Sequence, residues 1–150
     1  MIDEVRDKYQ LKVKSEEIRL NGRFLEIYSQ DKSNVKDIVE EWYLSKAKYK
    51  FHLIAKPLFE NFKSKHNLSL FTYHLSLLNM PTRWGSCTPK GKIILNPELI
   101  KSPKGCIEYV IIHEFCHLVY HDHTQRFIDL QSKEMHDREK LKMKLKKFLA

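Results

Sequence analysis

The pentapeptide His113-Glu114-Phe115-Cys116-His117 sets two imidazoles four residues apart, with a carboxylate beside the first. An α-helix turns about 100° per residue, so side chains four apart point the same way, one turn apart. At that spacing two imidazoles can reach one zinc ion, with Zn–N distances of about 2.0–2.1 Å. Glu114 lies about 100° round the helix from His113. There a carboxylate can contact a metal-bound water without displacing it. The metal lowers the pKa of that water towards about 7, and the glutamate takes its proton. The resulting hydroxide attacks a polarised carbonyl. The His-Glu-x-x-His pattern therefore predicts a zinc-dependent hydrolase, with peptide bonds as the expected substrate.

Two histidines hold a catalytic zinc weakly, and such sites usually have three protein ligands plus water. The sequence offers His121, Asp122, His123, Asp129, Glu134 and His136. His121 is four past His117, but on a straight helix its imidazole lands a further turn along, too far from an ion centred between the first two. His123 is better placed if the helix ends near Asp122 and the chain bends back. Cys116 lies inside the motif, but histidines already fill the ligand role, so it reads as a small packing residue.

These residues need a rigid support. The motif sits late in the apolar run Tyr109-Val110-Ile111-Ile112, which predicts a buried helix from Cys106 to about Tyr120. Ser102-Pro103 predicts its N-cap and first helical position. Without metal, the same pattern would be a core helix that happens to carry histidines. A further helix is expected from near Thr124, with Phe127, Leu130 and Gln131 along its inner edge. The last spans roughly Arg138 to Leu149, where Leu141, Leu145, Phe148 and Leu149 form an apolar stripe and the lysines face water.

Before the motif, Leu70–Leu75, Arg83–Cys87 and Lys92–Leu95 read as short strands. Asn79-Met80-Pro81 and Thr88-Pro89-Lys90-Gly91 supply the turn chemistry between them. Together they predict a small, mainly antiparallel sheet. Val35, Ile38, Val39, Trp42 and Tyr43 share a helical face, capped by Ser33 or Asn34. That helix is expected to continue to Phe62, with Pro57 kinking it or starting a second one. His52 and His66 read as surface or structural histidines. Asn21-Gly22 predicts a type I′ hairpin between strands near Ile18–Leu20 and Phe24–Tyr28.

At 150 residues the chain suits a single domain, 1–150. It carries no transmembrane-length apolar run and no signal-peptide core, and its three cysteines lack a disulfide-scaffold spacing. The expectation is a cytoplasmic protein without membrane contact. The net charge of +8 favours acidic partners, nucleic acid among them, although lysine-rich helices are often only solvated faces. The sequence leaves the oligomeric state open.

The residues Arg83-Trp84-Gly85-Ser86-Cys87, Gly91-Lys92-Ile93-Ile94-Leu95-Asn96, Tyr109 to Leu118 and His123-Thr124-Gln125-Arg126-Phe127 resemble the YgjP-like metallopeptidase domain. That family is related to the SprT-like and Wss-like zinc peptidases. The strongest resemblance covers about residues 82–130, and Trp42-Tyr43 with Ala47 extends it more weakly. It implies an α+β, minimal zincin-like fold, in which an edge strand runs above the active-site helix. It implies His113, His117 and His123 as zinc ligands and Glu114 as catalytic base. The Arg83–Cys87 segment would lie near the cleft, with Trp84 as packing, Arg83 structural or substrate-contacting, and Asn96 supporting a turn or helix. Ser86 and Cys87 are poor nucleophile candidates, since a zinc-hydroxide mechanism needs none. Two other readings stand beside a zinc peptidase. One is a SprT-like protease recruited to nucleic acid. The other is a basic binding module with structural zinc, which would have no need of Glu114.

Overall fold

A computed structural model describes residues 10–12, 17–21, 24–28 and 34–149, with side-chain burial from 34 to 147. The chain divides into two units, Met1–Lys46 and Ala47–Ala150.

In the first unit, β2 (Glu17–Asn21) and β3 (Phe24–Tyr28) form the expected antiparallel hairpin, paired from Glu17↔Tyr28 to Asn21↔Phe24. Gly22 lies outside the described residues, so the type I′ turn does too. An unforeseen β1 (Gln10–Lys12) pairs parallel with β3. Helix α1 (Val35–Lys65) begins here, burying Val35 and Val39 with Ile38 and Tyr43 packed against them.

In the second unit, α1 turns Ala47, Phe51, Ala55, Phe59 and Phe62 inward at three- and four-residue steps. Pro57 was expected to kink or restart this helix, yet α1 runs unbroken from Val35 to Lys65. An interior proline costs about 3 kcal/mol. Burying the neighbouring phenylalanines returns roughly 1.5–3 kcal/mol each, so packing carries the helix past it. His52 is exposed, whereas His66 bonds Glu134 at 2.5 Å, as a structural histidine should.

The second sheet contains β4 (His74–Leu77), β5 (Gly85–Cys87) and β6 (Lys92–Leu95), in the order β4-β6-β5. It is mixed rather than mainly antiparallel. β5 and β6 make an antiparallel hairpin, while β4 joins the far edge of β6 in parallel. The first strand also starts later than Leu70. Leu70 is 93% exposed and Phe71 closes a turn onto Leu68, so ladder bonding begins only where His74 N–H donates to Gly91 O. Gly91, at φ +85°, permits the turn that returns the chain into β6.

A short 3-10 helix, Pro97–Lys101, precedes α2 (Lys104–Val119). Ser102 does not cap α2 as expected. Its hydroxyl donates to Leu99 O at 2.6 Å, ending the 3-10 helix, and Pro103 takes the N-cap position without a side-chain bond. Helix α3 (Gln125–Glu134) starts after Thr124, and α4 spans Arg138–Leu149. Ile107, Val110, Ile111 and Phe115 of α2 pack with Phe59, Phe62, Ile93, Leu95, Phe127 and Leu145 in one core. The second unit is thus an α+β domain with a small sheet beside a buried central helix. Among the described residues no helix is long and apolar enough to cross a membrane.

Candidate metal centre

Helix α2 ends where its purpose requires. Tyr120, extended at φ −125°, closes the last turn through its N–H to Cys116 O. The chain then bends back over Asp122, and Thr124 caps α3 by accepting from Phe127 N–H. That reversal carries His123 to the two histidines of α2. His123 Nε2 lies 3.3 Å from His113 Nε2 and 3.0 Å from His117 Nε2. Among the described residues these three form the one group of histidine, cysteine or acid side chains arranged to hold a metal ion.

The remaining ligand candidates do not join them. His121, Asp122 and His136 are exposed, Asp129 accepts from Gln125, and Glu134 holds His66 and Lys65.

Each imidazole has a support. The ring of Phe127, itself buried, lies 4.4–5.0 Å from all three imidazole centroids and acts as their common floor. His117 Nδ1–H donates to Tyr120 O at 3.2 Å, which leaves the Nε2 lone pair pointing into the cluster. The buried Gln131 amide meets His113 Nδ1 at 3.0 Å. Gln131 Nε2 is the atom placed there; with the amide turned so that its oxygen faces the ring, it would accept from Nδ1–H and free His113 Nε2 in the same way. Burial holds His113 at a pKa of about 4, helped by the neighbouring His117 and His123, and burial also lowers His117. Both are therefore neutral at pH 7, as ligands must be.

The donor set fits a metal ion. Three nitrogens on a tetrahedral ion at about 2.0–2.1 Å would lie about 3.3–3.4 Å apart, close to the two separations present here. With each Nε2 unprotonated, one cation satisfies all three nitrogens.

Glu114 sits one residue along α2, 4% exposed, and its Oε2 has no hydrogen-bond partner among the described residues. Burial raises its pKa to about 8, with Arg83 pulling partly the other way. Its close neighbour is Gly85, where an added Cβ would come within 3.0 Å of Glu114 Oε1 and 2.9 Å of Val110. Only glycine lets β5 approach α2 so closely, which explains the glycine of Arg-Trp-Gly-Ser-Cys. Asn96 fixes the same segment. Its amide donates to Met80 O and Arg83 O, and its backbone N–H donates to Trp84 O. Asn96 thus supports both a turn and a helix start, since its oxygen also accepts from Glu98 N–H.

Arg83 is exposed at the mouth, and Trp84 is half-buried against the core. Burial pushes the Cys87 thiol up to about 11 and the Cys116 thiol up to about 12. Neither thiol ionises near neutrality, in keeping with packing rather than nucleophilic roles.

Sequence reasoning found the α2 residues from helical spacing, but gave no role to Gly85, Phe127 or Gln131. For Gly85 a signal existed, a lone glycine inside a strand. For Phe127 and Gln131 there was none beyond their place on the inner edge of α3.

The profile of the YgjP-like metallopeptidase domain matches residues 5–148. No curated protein matches the chain by sequence. Among solved structures, the chain is similar to the metallopeptidase zymogen jannalysin of Methanocaldococcus jannaschii. The TM-score is 0.55 at 13% identity, covering 67% of this chain and 97% of that one. At that identity the likeness speaks for a shared fold. A metallopeptidase domain is a peptidase that works with a divalent metal, and the histidine triad is where the described residues could bind one. With the profile running through almost the whole chain, the protein belongs to the YgjP-like metallopeptidase domain family.

Proposed function

We propose that this protein is a zinc-dependent peptidase in which His113, His117 and His123 hold the metal and Glu114 is the general base. The observation that carries the reading is the convergence of three imidazole nitrogens beside a buried carboxyl group. Imidazole ligands suit zinc, and three of them leave a coordination position for chemistry. Bound there, zinc supplies Lewis acidity, which acidifies water and polarises a carbonyl oxygen.

The chain's own residues do the rest. Tyr120 O and Gln131 orient two of the imidazoles, and Phe127 holds the three rings in register. Glu114, with a proton affinity set near neutrality by burial, takes a proton and later returns it to the leaving amine. β5 is the edge of its sheet among the described residues, so an extended substrate can add to it as a further strand. Because Gly85 brings that strand onto Glu114, a substrate paired there passes the base. Arg83, exposed beside this path, contacts the substrate.

The test is metal content together with turnover. Purified protein should carry near-stoichiometric zinc and cleave peptides, lose cleavage to a chelator, and regain it on adding zinc. Protein that retains no zinc, or holds zinc yet cleaves nothing in a broad peptide library, would contradict the reading. The second result would favour a structural zinc in a binding module.

A second reading keeps this chemistry and adds nucleic acid as the recruiting partner, on the strength of the +8 net charge. DNA binding that weakens steeply with salt supports it, and no retention on DNA at low salt removes it. The three cysteines, all free thiols, fit a reducing cytoplasm.

A further inference from the structure

A cleft of about 300 Å³ opens directly beside His113 and Glu114. Its apolar lining is formed by Trp84, Val110 and Leu145. Its rim is cationic, formed by Arg83 from the β5 side and by Lys142 and Lys146 from α4. Among the described residues none of these three cations makes an ion pair. The acid nearest in sequence on α4, Glu139, is tied to Arg138 at 3.3 Å. Glu114 is the sole acid lining the cleft.

The lysines are held in place by their helix. Leu145, 3% exposed, anchors α4 in the core. Leu141 packs where Gly105 of α2 leaves room, 3.2 Å from where a Cβ would stand. Lys142 and Lys146 are one helical turn apart and so face the same way.

We propose that this cleft is a subsite for a carboxylate on the substrate, next to the scissile bond. The apolar walls take a short methylene stem, and the three unpaired cations take the charge. The inference rests on the peptidase reading, because it places the subsite against the metal centre. A carboxylate can come from a glutamate or aspartate side chain or from a free peptide C-terminus. Both carry the same charge on a short stem, so the experiment separates them.

The experiment uses the zinc-loaded full chain and a set of peptides that differ only beside the scissile bond. Glutamate, glutamine, alanine and lysine are placed there, each peptide made with a free and with an amidated C-terminus. The expected result is a preference in kcat/KM for glutamate over glutamine of about tenfold, shrinking with salt. If glutamate is preferred over glutamine in the amidated peptides the side chain is the source, and if instead every free-terminus peptide is preferred over its amide, whatever the side chain, the terminal carboxylate is. The double variant Lys142→Glu/Lys146→Glu should invert the ratio in favour of lysine. Calorimetric binding of the same peptides to zinc-loaded Glu114→Gln should show the same order without turnover, and circular dichroism should show that the double variant is folded.

Cleavage with no acidic preference, or a preference untouched by charge reversal, overturns the inference and leaves the peptidase reading standing. Absence of both cleavage and binding overturns the two together. Binding of single-stranded DNA that displaces every peptide equally, and is lost in the double variant, assigns the cations to phosphate and overturns the inference as well.

Discussion

On the α2 side of the cleft His113 is half-buried and Glu114 buried, burial lowers the pKa of the first and raises that of the second, and both are fixed by named neighbours. On the α4 side Lys142 and Lys146 are exposed, charged and paired with no described residue. The first side trades solvation for position. The three imidazoles share a ring floor, two of them also hold a supporting hydrogen bond, and the base is pressed by a strand backbone. The second side keeps its solvation and adapts. Chemistry needs atoms held to within a few tenths of an ångström, whereas recognition of a charged group tolerates mobile, screened cations. Substitutions on the two sides should therefore fail differently: in rate or metal affinity on the first, in substrate preference on the second.

The sharpest break is Glu114→Gln. It keeps shape and removes the base, so peptide cleavage should fall by about 10²–10⁴-fold while zinc content is unchanged. Loss of zinc along with activity would mean that Glu114 belongs to the metal site rather than to proton transfer. Gly85→Ala comes next. Its Cβ would stand 3.0 Å from Glu114 Oε1 and 2.9 Å from Val110. The carboxylate or the edge strand must move, and since a displacement of about 1 Å costs about 100-fold, this smaller one should lower kcat/KM by up to about 10-fold. Wild-type kinetics in this variant would show that β5 does not set the position of the base.

Gln131→Leu keeps the volume and deletes the partner of His113 Nδ1. Zinc affinity should weaken by about 10–100-fold, measured by competition with a chelating dye. Gln131→Glu, whose carboxylate also accepts from Nδ1–H, should recover most of it. Equal affinity in all three proteins would show that Phe127 alone orients the ring.

How far these two sides could be read from the amino-acid order follows from the range of the interactions involved. His113, Glu114 and His117 share one helix, so a period of about 3.6 residues already places them together. His123 needed one further fact, that the helix stops at Val119 and the chain folds back, and the family resemblance pointed the same way. Gln131 and Phe127 reach the site only because α3 packs across α2, which no local pattern encodes. Lys142 and Lys146 looked like solvent-facing residues of an amphipathic helix, and so they are. Their place on the cleft rim depends on where Leu141 and Leu145 dock. Pro57 and Ser102 misled for the complementary reason. Local rules assigned a kink or a restart at Pro57 and a cap at Ser102, while no second helix starts at Pro57 and Leu99 O claimed the Ser102 hydroxyl. The parallel pairing of β4 with β6 likewise depends on which sheet edge the chain returns to, and turn residues do not specify it.

The smallest expected effect is on stability and depends on pH. Glu114's folded pKa is raised from 4.5 to about 8. The folded state therefore favours the protonated form, and the group's contribution is fully present below about 4.5 and lost as pH rises through about 8. In metal-free protein Glu114→Gln should match wild type near pH 4.5 and become more stable, by about 1 kcal/mol or more, by pH 9. The histidines act in the opposite sense. With its pKa lowered to about 4, His113 contributes stability above about 6.5 that is lost as pH falls through about 4. Thermal melts of the two proteins across this range check the sign for Glu114. A difference that does not vary with pH would mean that Glu114 is better solvated than its burial indicates.

The central claim, a metal centre closed by a third histidine from beyond the helix end, is tested most directly by the zinc content of two neighbouring variants. His123→Ala removes the nitrogen 3.0–3.3 Å from the other two, whereas His121→Ala removes an exposed ring outside the cluster. The account predicts that His123→Ala is purified with little or no zinc and that His121→Ala keeps about one ion per chain. Zinc retained by His123→Ala and lost by His121→Ala would contradict it.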